Sequence, residues 1–157
     1  AVGEVLAAAL APRQPHLHPA LVRSACLLHD IVRTQPGHAS LAERLLANLG
    51  LPRLGNLVGQ HMAMDPDRSL LPGITEVELV YLADKLVAEE EVVGLDGREA
   101  RALEKTRAWE EATPAVVERI GERMNAARRI AAKVESVLGY PLDKLLAEIT
   151  IPPVPLR

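Results

Sequence analysis

Apolar residues recur at intervals of three and four along most of this chain, the spacing of one buried helix face. The first stretch has Val2, Val5, Leu6 and Leu10 on one face. A second helix is predicted to start at Pro19 and to end before Pro36-Gly37. It carries Leu21, Val22, Ala25 and Leu28 on its buried side. The longest pattern starts at Thr113-Pro114, stops at Gly139, and predicts a long amphipathic helix.

Local signals place the other helix boundaries. Ser40-x-x-Glu43 and Thr75-x-x-Glu78 have capping-box spacing and each predicts a helix start. Gly50 and Pro52 close the first of these helices. Further helices are predicted over residues 52–62, from after residue 97 to about residue 111, and over residues 142–149. Residues 65–73 are predicted to form a loop.

No stretch alternates between apolar and polar residues as a half-buried strand would. The pattern therefore predicts an all-α bundle of about seven or eight helices. Residues 1–150 are predicted to form a single domain, followed by an extended proline-rich tail over residues 151–157.

Composition limits the function classes. The chain has 157 residues, 48% of them hydrophobic, which is enough for one core. A net charge of −3 gives no basis for general nucleic-acid or anionic-membrane binding, so neither partner is expected. The single cysteine, Cys26, cannot form an internal disulfide, and no apolar run reaches the roughly 20 residues that span a bilayer. We expect a cytoplasmic protein.

The strongest chemical signal is the dipeptide His29-Asp30, which ends an apolar stretch and is followed by His38, His61 and Asp84. Imidazole nitrogen and carboxylate oxygen together can hold a divalent metal, and such an ion activates water near neutral pH. This pattern predicts a metal site and hydrolysis, with a phosphate ester as the expected substrate.

Four segments carry a resemblance to the HD superfamily of metal-dependent phosphohydrolases, with matching order and spacing over about residues 2–93. They are Leu27-Leu28-His29-Asp30-Ile31, Gly37-His38-Ala39-Ser40-Leu41-Ala42, Gln60-His61-Met62 and Tyr81-Leu82-Ala83-Asp84-Lys85-Leu86. The resemblance implies that His29, Asp30 and Asp84 ligate metal and that His38 and His61 hold a second ion. It implies one or two divalent ions per chain, chosen from Mn, Fe, Co, Ni, Zn and Mg.

The implied mechanism is attack of metal-activated water on phosphorus. Arg33, on the same predicted helix as Asp30, is the first choice for binding the substrate phosphate, and Lys85 is the second. Ordinary structural roles stay open for these residues. Arg33 could be a solvated charge, Lys85 could form a surface ion pair with Asp84, and His38 and His61 could simply lie at helix ends.

Other charged and histidine residues are interpreted as structural. His16 and His18 adjoin prolines and are predicted to lie in a loop. The acidic run at residues 89–91 and the basic residues are interpreted as solvated helix faces, since opposite charges are interspersed at helical spacing. The basic set comprises Arg98, Arg101, Lys105, Arg107, Arg128 and Arg129.

One feature departs from the HD pattern. The family's first ligand is a histidine a few residues before a valine that matches Val2, so it is expected upstream of Ala1. Either the natural protein is longer, or the site is degenerate. The C-terminal third is also similar to HD domains that follow a molybdenum-cofactor-type nucleotidyltransferase, which implies a covalently linked upstream domain.

Two functions are therefore predicted as alternatives. The first is a metal-dependent phosphohydrolase that acts on a nucleotide or a related small phosphate ester. The second is a catalytically degenerate HD domain that serves a linked domain as a nucleotide-sensing or interaction module. The scaffold alone does not separate them, because activity depends on the chemistry of the site.

Overall fold

The structure, a computed structural model, describes residues 2–62, 64–89, 91–109 and 113–149. Within these ranges it contains eight α-helices and a 3₁₀ helix, Pro66–Leu70. The helices are α1 (Val2–Leu10), α2 (Pro19–Leu28), α3 (His38–Asn48), α4 (Pro52–Gly59), α5 (Glu76–Leu86), α6 (Gly94–Arg107), α7 (Pro114–Leu138) and α8 (Leu142–Leu146). The predicted all-α bundle is confirmed. None of the described helices is both long enough and apolar enough to cross a membrane.

Helix α5 forms the centre of the bundle. Nine of its eleven residues are buried, and α1, α2, α4, α6 and α7 all pack against it. The fully buried side chains around it include Leu6 and Leu10 from α1 and Ile130 from α7. Helix α5 therefore lacks the polar, solvent-facing side of an amphipathic surface helix. A residue on α5 is therefore held firmly in place, which matters for Asp84.

The predicted capping box at the start of α5 is present. The Thr75 hydroxyl accepts a hydrogen bond from the Glu78 amide, and the Glu78 carboxylate accepts one from the Thr75 amide at 2.8 Å. The Glu78 side chain is also buried against Lys133 of α7. The first turn of α5 is thus stabilised by its own capping box and by the contact of Glu78 with α7.

Replacing Thr75 with alanine is expected to lower the free energy of unfolding by about 1 kcal/mol. The change removes an acceptor for a helix-end amide and a hydroxyl that donates to Glu78. Thr113→Ala is the matched control, because Thr113 occupies the same position before α7 but makes no side-chain cap bond. Urea unfolding of both variants measures the difference. Equal losses in the two would contradict the capping role.

Several predicted boundaries differ from the structure. Helix α2 ends at Leu28, so Asp30 and Arg33 lie in the turns that follow it and not on it. Helix α3 begins at His38, two residues before Ser40, so the predicted capping box there is wrong. Gly37 precedes it with φ of 66°, a left-handed conformation that suits glycine. These shifts place His38 in the first turn of α3, beside the end of α2.

The remaining boundaries also moved by a few residues. Helix α4 ends at Gly59, which leaves His61 in the turn beyond it, and α8 ends at Leu146. Helix α6 begins at Gly94, so residues 94–97, which precede the predicted helix, form its first turn. The predicted proline-rich tail, residues 151–157, lies outside the described residues.

A short antiparallel strand pair follows α5 and was not predicted. Strand β1 (Val87–Ala88) pairs with β2 (Glu91–Val92). Glu89 begins the turn between them with φ of 58°, uncommon for a residue with a side chain. Two residues per strand are too few to show an alternating pattern, so these strands leave no detectable signal in the sequence. The hairpin turns the chain back so that α6 packs on α5.

Candidate metal centre

The His29-Asp30 pair lies where α2 ends. His29 is the residue that follows the last residue of α2, and its Nδ1–H donates to the Cys26 carbonyl oxygen at 2.8 Å. This bond fixes the ring and leaves Nε2 as the atom that faces the site. Asp30 lies in the next turn, so the two side chains diverge from a turn and not from a continuous helix as predicted.

Four separate elements bring the five predicted ligands together. The end of α2 supplies His29 and Asp30, the start of α3 supplies His38, the turn after α4 supplies His61, and α5 supplies Asp84. The His29 and His61 ring centres lie 5.0 Å apart, and those of His38 and His61 lie 5.3 Å apart. The cluster comes from residues up to 55 positions apart in sequence, so tertiary packing creates it.

The Asp30 carboxylate lies at the centre of the cluster. Its Oδ1 is 3.4 Å from His38 Nε2 and 3.7 Å from His61 Nε2. Its Oδ2 is 3.6 Å from His29 Nε2. His29 Nε2 is in turn 3.5 Å from Asp84 Oδ1. The two oxygens of Asp30 therefore face two different groups of ligand atoms.

Two of these nitrogens are buried polar atoms that need a partner. His38 Nε2 and His61 Nε2 have no hydrogen-bond partner among the described residues. His61 is only 1% exposed, and its Nδ1–H donates to the Val58 carbonyl oxygen at 2.7 Å. Burial lowers the pKa of His61 and favours the neutral ring, whose Nε2 then presents a lone pair. A buried acceptor without a donor is costly unless something else, such as a cation, occupies that side.

The spacing of the atoms suits a metal ion. Two ligands that bind one ion at about 2.1 Å lie about 3.0 Å apart at a right angle and about 3.4 Å apart at a tetrahedral angle. The separations of 3.4 to 3.7 Å in the cluster are close to these values and longer than ordinary hydrogen bonds. His29, Asp30 and His61 also offer ligand atoms that all lie within 4.8 Å of one another. The residues present therefore fit a divalent ion.

Asp84 and His29 lie close together in a partly buried setting, with Asp84 Oδ1 3.5 Å from His29 Nε2. Burial alone would raise the pKa of Asp84, but pairing with His29 and with Lys85 outweighs it and holds that pKa well below its ordinary value. Burial also opposes charge on His29, yet the Asp84 carboxylate, the Cys26 carbonyl and Asp30 together raise its pKa. A metal ion held by His29 would therefore have to displace a proton up to a higher pH than at an ordinary histidine.

Lys85 has a different position from the one predicted. Its side chain is 7% exposed, and its Nζ contacts the Asp84 carboxylate and donates to the His61 carbonyl oxygen at 3.4 Å. Burial lowers the pKa of Lys85, while the charge of Asp84 works against this effect. The ion pair is thus a buried one and not a surface one. Lys85 is also absent from the described cavity lining, so the predicted contact with substrate phosphate lacks support.

A cavity of about 480 Å³ opens beside the cluster. His29, Asp30, His38 and Asp84 contribute to its wall, and Arg33 does so from the turn beyond Asp30. The Arg33 side chain is 77% exposed and forms an ion pair with Asp30 Oδ2 at 3.2 Å. Arg33 is therefore accessible both to solvent and to a ligand in the cavity, a position that a phosphate contact would require.

Sequence reasoning missed part of the cavity wall. The missed residues with functional groups are Cys26, Met62, Glu89 and Arg98. Burial raises the pKa of the Cys26 thiol to about 11, so this residue is a protonated, apolar part of the wall. Glu89 and Arg98 were interpreted as solvated faces. No local signal in the sequence distinguishes them from their neighbours, because the hairpin and the packing of α6 on α5 decide which of them face the cavity.

His16 and His18 lie in the loop between α1 and α2, as predicted. His16 Nε2 bonds to the Ile74 carbonyl oxygen at 2.9 Å, and His18 Nδ1 lies 2.9 Å from Glu76 Oε1. Arg53 contacts the same carboxylate oxygen. Both histidines therefore connect this loop to the segment at the start of α5, and neither belongs to the metal cluster.

Comparison with known proteins identifies the family. The family described as HD domain matches residues 3–89, more than half of the chain. The protein therefore belongs to the HD-domain family, a superfamily of metal-dependent phosphohydrolases whose members bind divalent metals. No curated protein and no solved structure matches the chain.

Proposed function

We propose that this protein is a metal-dependent phosphohydrolase that acts on a nucleotide or a related small phosphate ester. The observation that carries the proposal is the convergence of three histidines and two aspartates in one cluster, four of them in the wall of a cavity, with two buried Nε2 atoms that lack a partner among the described residues. A purely structural histidine in a core usually has both nitrogens satisfied. Family membership supports the same reaction class.

The positions of the ligand atoms support two ions that share Asp30. The first ion would be held by His29, Asp84 and Asp30 Oδ2, and the second by His38, His61 and Asp30 Oδ1. Bound ions would supply Lewis acidity, which activates water and neutralises charge on the phosphate. Mn, Fe, Co, Ni, Zn and Mg are all compatible with this mixed set of nitrogen and oxygen donors.

The other side chains have supporting roles in this proposal. Arg33 binds a phosphate oxygen, because its guanidinium lies at the cavity beside Asp30 and has several N–H groups that can donate hydrogen bonds. Backbone carbonyls of Cys26 and Val58 hold two of the histidine rings in the tautomer that leaves Nε2 for a ligand. Lys85 balances the charge of Asp84 from behind the cavity wall.

The histidine expected upstream of Ala1 would complete this set. Val2 and Gly3 line the cavity, so α1 begins beside the cluster. We include such a histidine in the proposal as a further ligand of the first ion. A linked upstream domain of the nucleotidyltransferase type is likewise part of the proposal and rests on the resemblance of the C-terminal third alone.

The proposal is tested with the full-length protein and a panel of mononucleotides, dinucleotides, cyclic nucleotides and p-nitrophenyl phosphate, each with the six metals in turn. We expect phosphate release with at least one metal. His38→Ala is expected to lower the metal content from two ions to one and to slow hydrolysis at least about tenfold.

The matched control for that variant is His18→Ala, since His18 is a histidine outside the cluster. It should keep wild-type metal content and rate. Folded protein that binds metal but releases no phosphate from any substrate would contradict the phosphohydrolase proposal. That outcome would favour the alternative, a degenerate domain that senses a nucleotide or interacts with a linked domain.

A further inference from the structure

Arg98 is a positively charged residue in the cavity wall and is not one of the candidate metal ligands. It lies on α6, beyond residues 3–89 where the HD-domain family matches, and it lines the same cavity as His29, Asp30 and Asp84. Its side chain is half-buried. The position of Arg98 depends on the packing of α6 against α5 and β1.

The neighbouring cations of α6 already have partners. Arg101 contacts the Glu91 carboxylate, and Lys105 Nζ lies 3.4 Å from Glu89 Oε1. Glu89, the acidic residue of the cavity wall, is therefore paired with Lys105. Arg98 makes no salt bridge to any carboxylate among residues 2–62, 64–89, 91–109 and 113–149. A half-buried guanidinium without a carboxylate partner, in a cavity wall, is well suited to bind an anion.

Arg98 reaches the cavity from α6, which packs against α5, the helix that carries Asp84. Arg33, by contrast, reaches the cavity from the turn after α2 and is already paired with Asp30. The two arginines thus come to the cavity from different elements.

We propose that Arg98 is a substrate-binding residue, which donates hydrogen bonds to an anionic oxygen of the phosphate ester from the α6 wall of the cavity. This inference rests on the proposed function. The anionic oxygen belongs either to the phosphate at the metal cluster or to a second phosphate of the same substrate. Adenosine 5′-monophosphate and adenosine 3′,5′-bisphosphate distinguish these two sources, because they differ only in the second phosphate.

The test compares Arg98→Gln with Arg101→Gln, a matched control one turn further along α6 whose arginine is paired with Glu91. For the best substrate of the panel, Arg98→Gln is expected to raise KM about 10- to 100-fold, the usual effect of removing a charge-assisted hydrogen bond, with little change in kcat. Arg98→Lys should recover part of the loss, because it keeps the charge but not the fork of donors. Arg101→Gln should match wild type.

A binding measurement makes the test independent of turnover. Calorimetry with inorganic phosphate on the metal-loaded protein should show the same 10- to 100-fold weakening in Arg98→Gln, with unchanged metal content and unfolding midpoint. If Arg98→Gln raises KM only for the bisphosphate nucleotide, Arg98 binds the second phosphate. The affinity for inorganic phosphate should then stay near the wild-type value. If KM rises for both nucleotides, Arg98 binds the phosphate at the metal cluster.

The inference is overturned if Arg98→Gln equals Arg101→Gln within twofold for KM with both nucleotides and for phosphate binding. It is also overturned if the metal-loaded wild type binds neither phosphate nor nucleotide. The proposed function fails in a different way, through absence of bound metal or of turnover in the wild type. A protein that binds metal and phosphate with an Arg98-dependent affinity, yet does not hydrolyse any ester, would keep this inference and reject the enzyme.

Discussion

Asp30→Ala is expected to abolish metal binding and to lower kcat/KM by at least about 10³-fold, because metal activation contributes several kcal/mol to such reactions. Asp30 is the residue whose two oxygens face both groups of ligand atoms, so its loss removes a donor from each ion at once. The measurement is elemental analysis together with phosphate release, on protein shown by circular dichroism to be folded.

Asp143→Ala is a suitable control for this variant. Asp143 is an exposed carboxylate on α8 and is remote in sequence from the cluster. Its replacement should leave metal content and rate unchanged. If Asp30→Ala kept both ions and the wild-type rate, the assignment of Asp30 as a ligand shared by both ions would be wrong.

Lys85→Met is expected to destabilise the metal-free protein by about 3 kcal/mol, the usual cost of removing one partner of a buried ion pair. The change leaves the Asp84 carboxylate without the ammonium group that it contacts. Methionine has a similar length and is apolar, so the side-chain volume is largely kept. In the metal-loaded protein the loss should be smaller, because a bound ion would provide positive charge at Asp84.

Urea unfolding of the metal-free and metal-loaded forms measures both effects. Lys105→Met is the control, since Lys105 is an exposed lysine whose ion pair with Glu89 contributes little. A loss for Lys85→Met that is the same with and without metal would show that Lys85 acts through packing. It would contradict the role of Lys85 as a counter-charge for a metal ligand.

The helical fold was predictable because its helices show strong periodicity and clear end signals. The capping box at Thr75 and the stop at Gly139 were both confirmed. The boundaries that failed were those at which tertiary contacts decide the end of a helix. His29 follows the last residue of α2 with its ring bonded to Cys26, and His38 starts α3 ahead of the apparent cap at Ser40. Local propensity contains no information on such contacts.

The convergence of the five candidate ligands was predictable for a different reason. Histidine and aspartate are chemically distinctive, and the resemblance to HD proteins identified all five residues before any geometry was known. Arginines and lysines are common on helix surfaces, so their roles depend on packing. Lys85 was predicted to be a phosphate contact but is buried behind Asp84, whereas Arg98 was interpreted as a solvated charge but lines the cavity.

The central claim is that the cluster binds divalent metal. The most direct measurement is the metal content of the folded full-length protein, determined by elemental analysis after exposure to Mn, Fe, Co, Ni, Zn and Mg and removal of excess ions. We predict two ions per chain for at least one of these metals. Folded protein that holds no ion under any of the six conditions would contradict the claim.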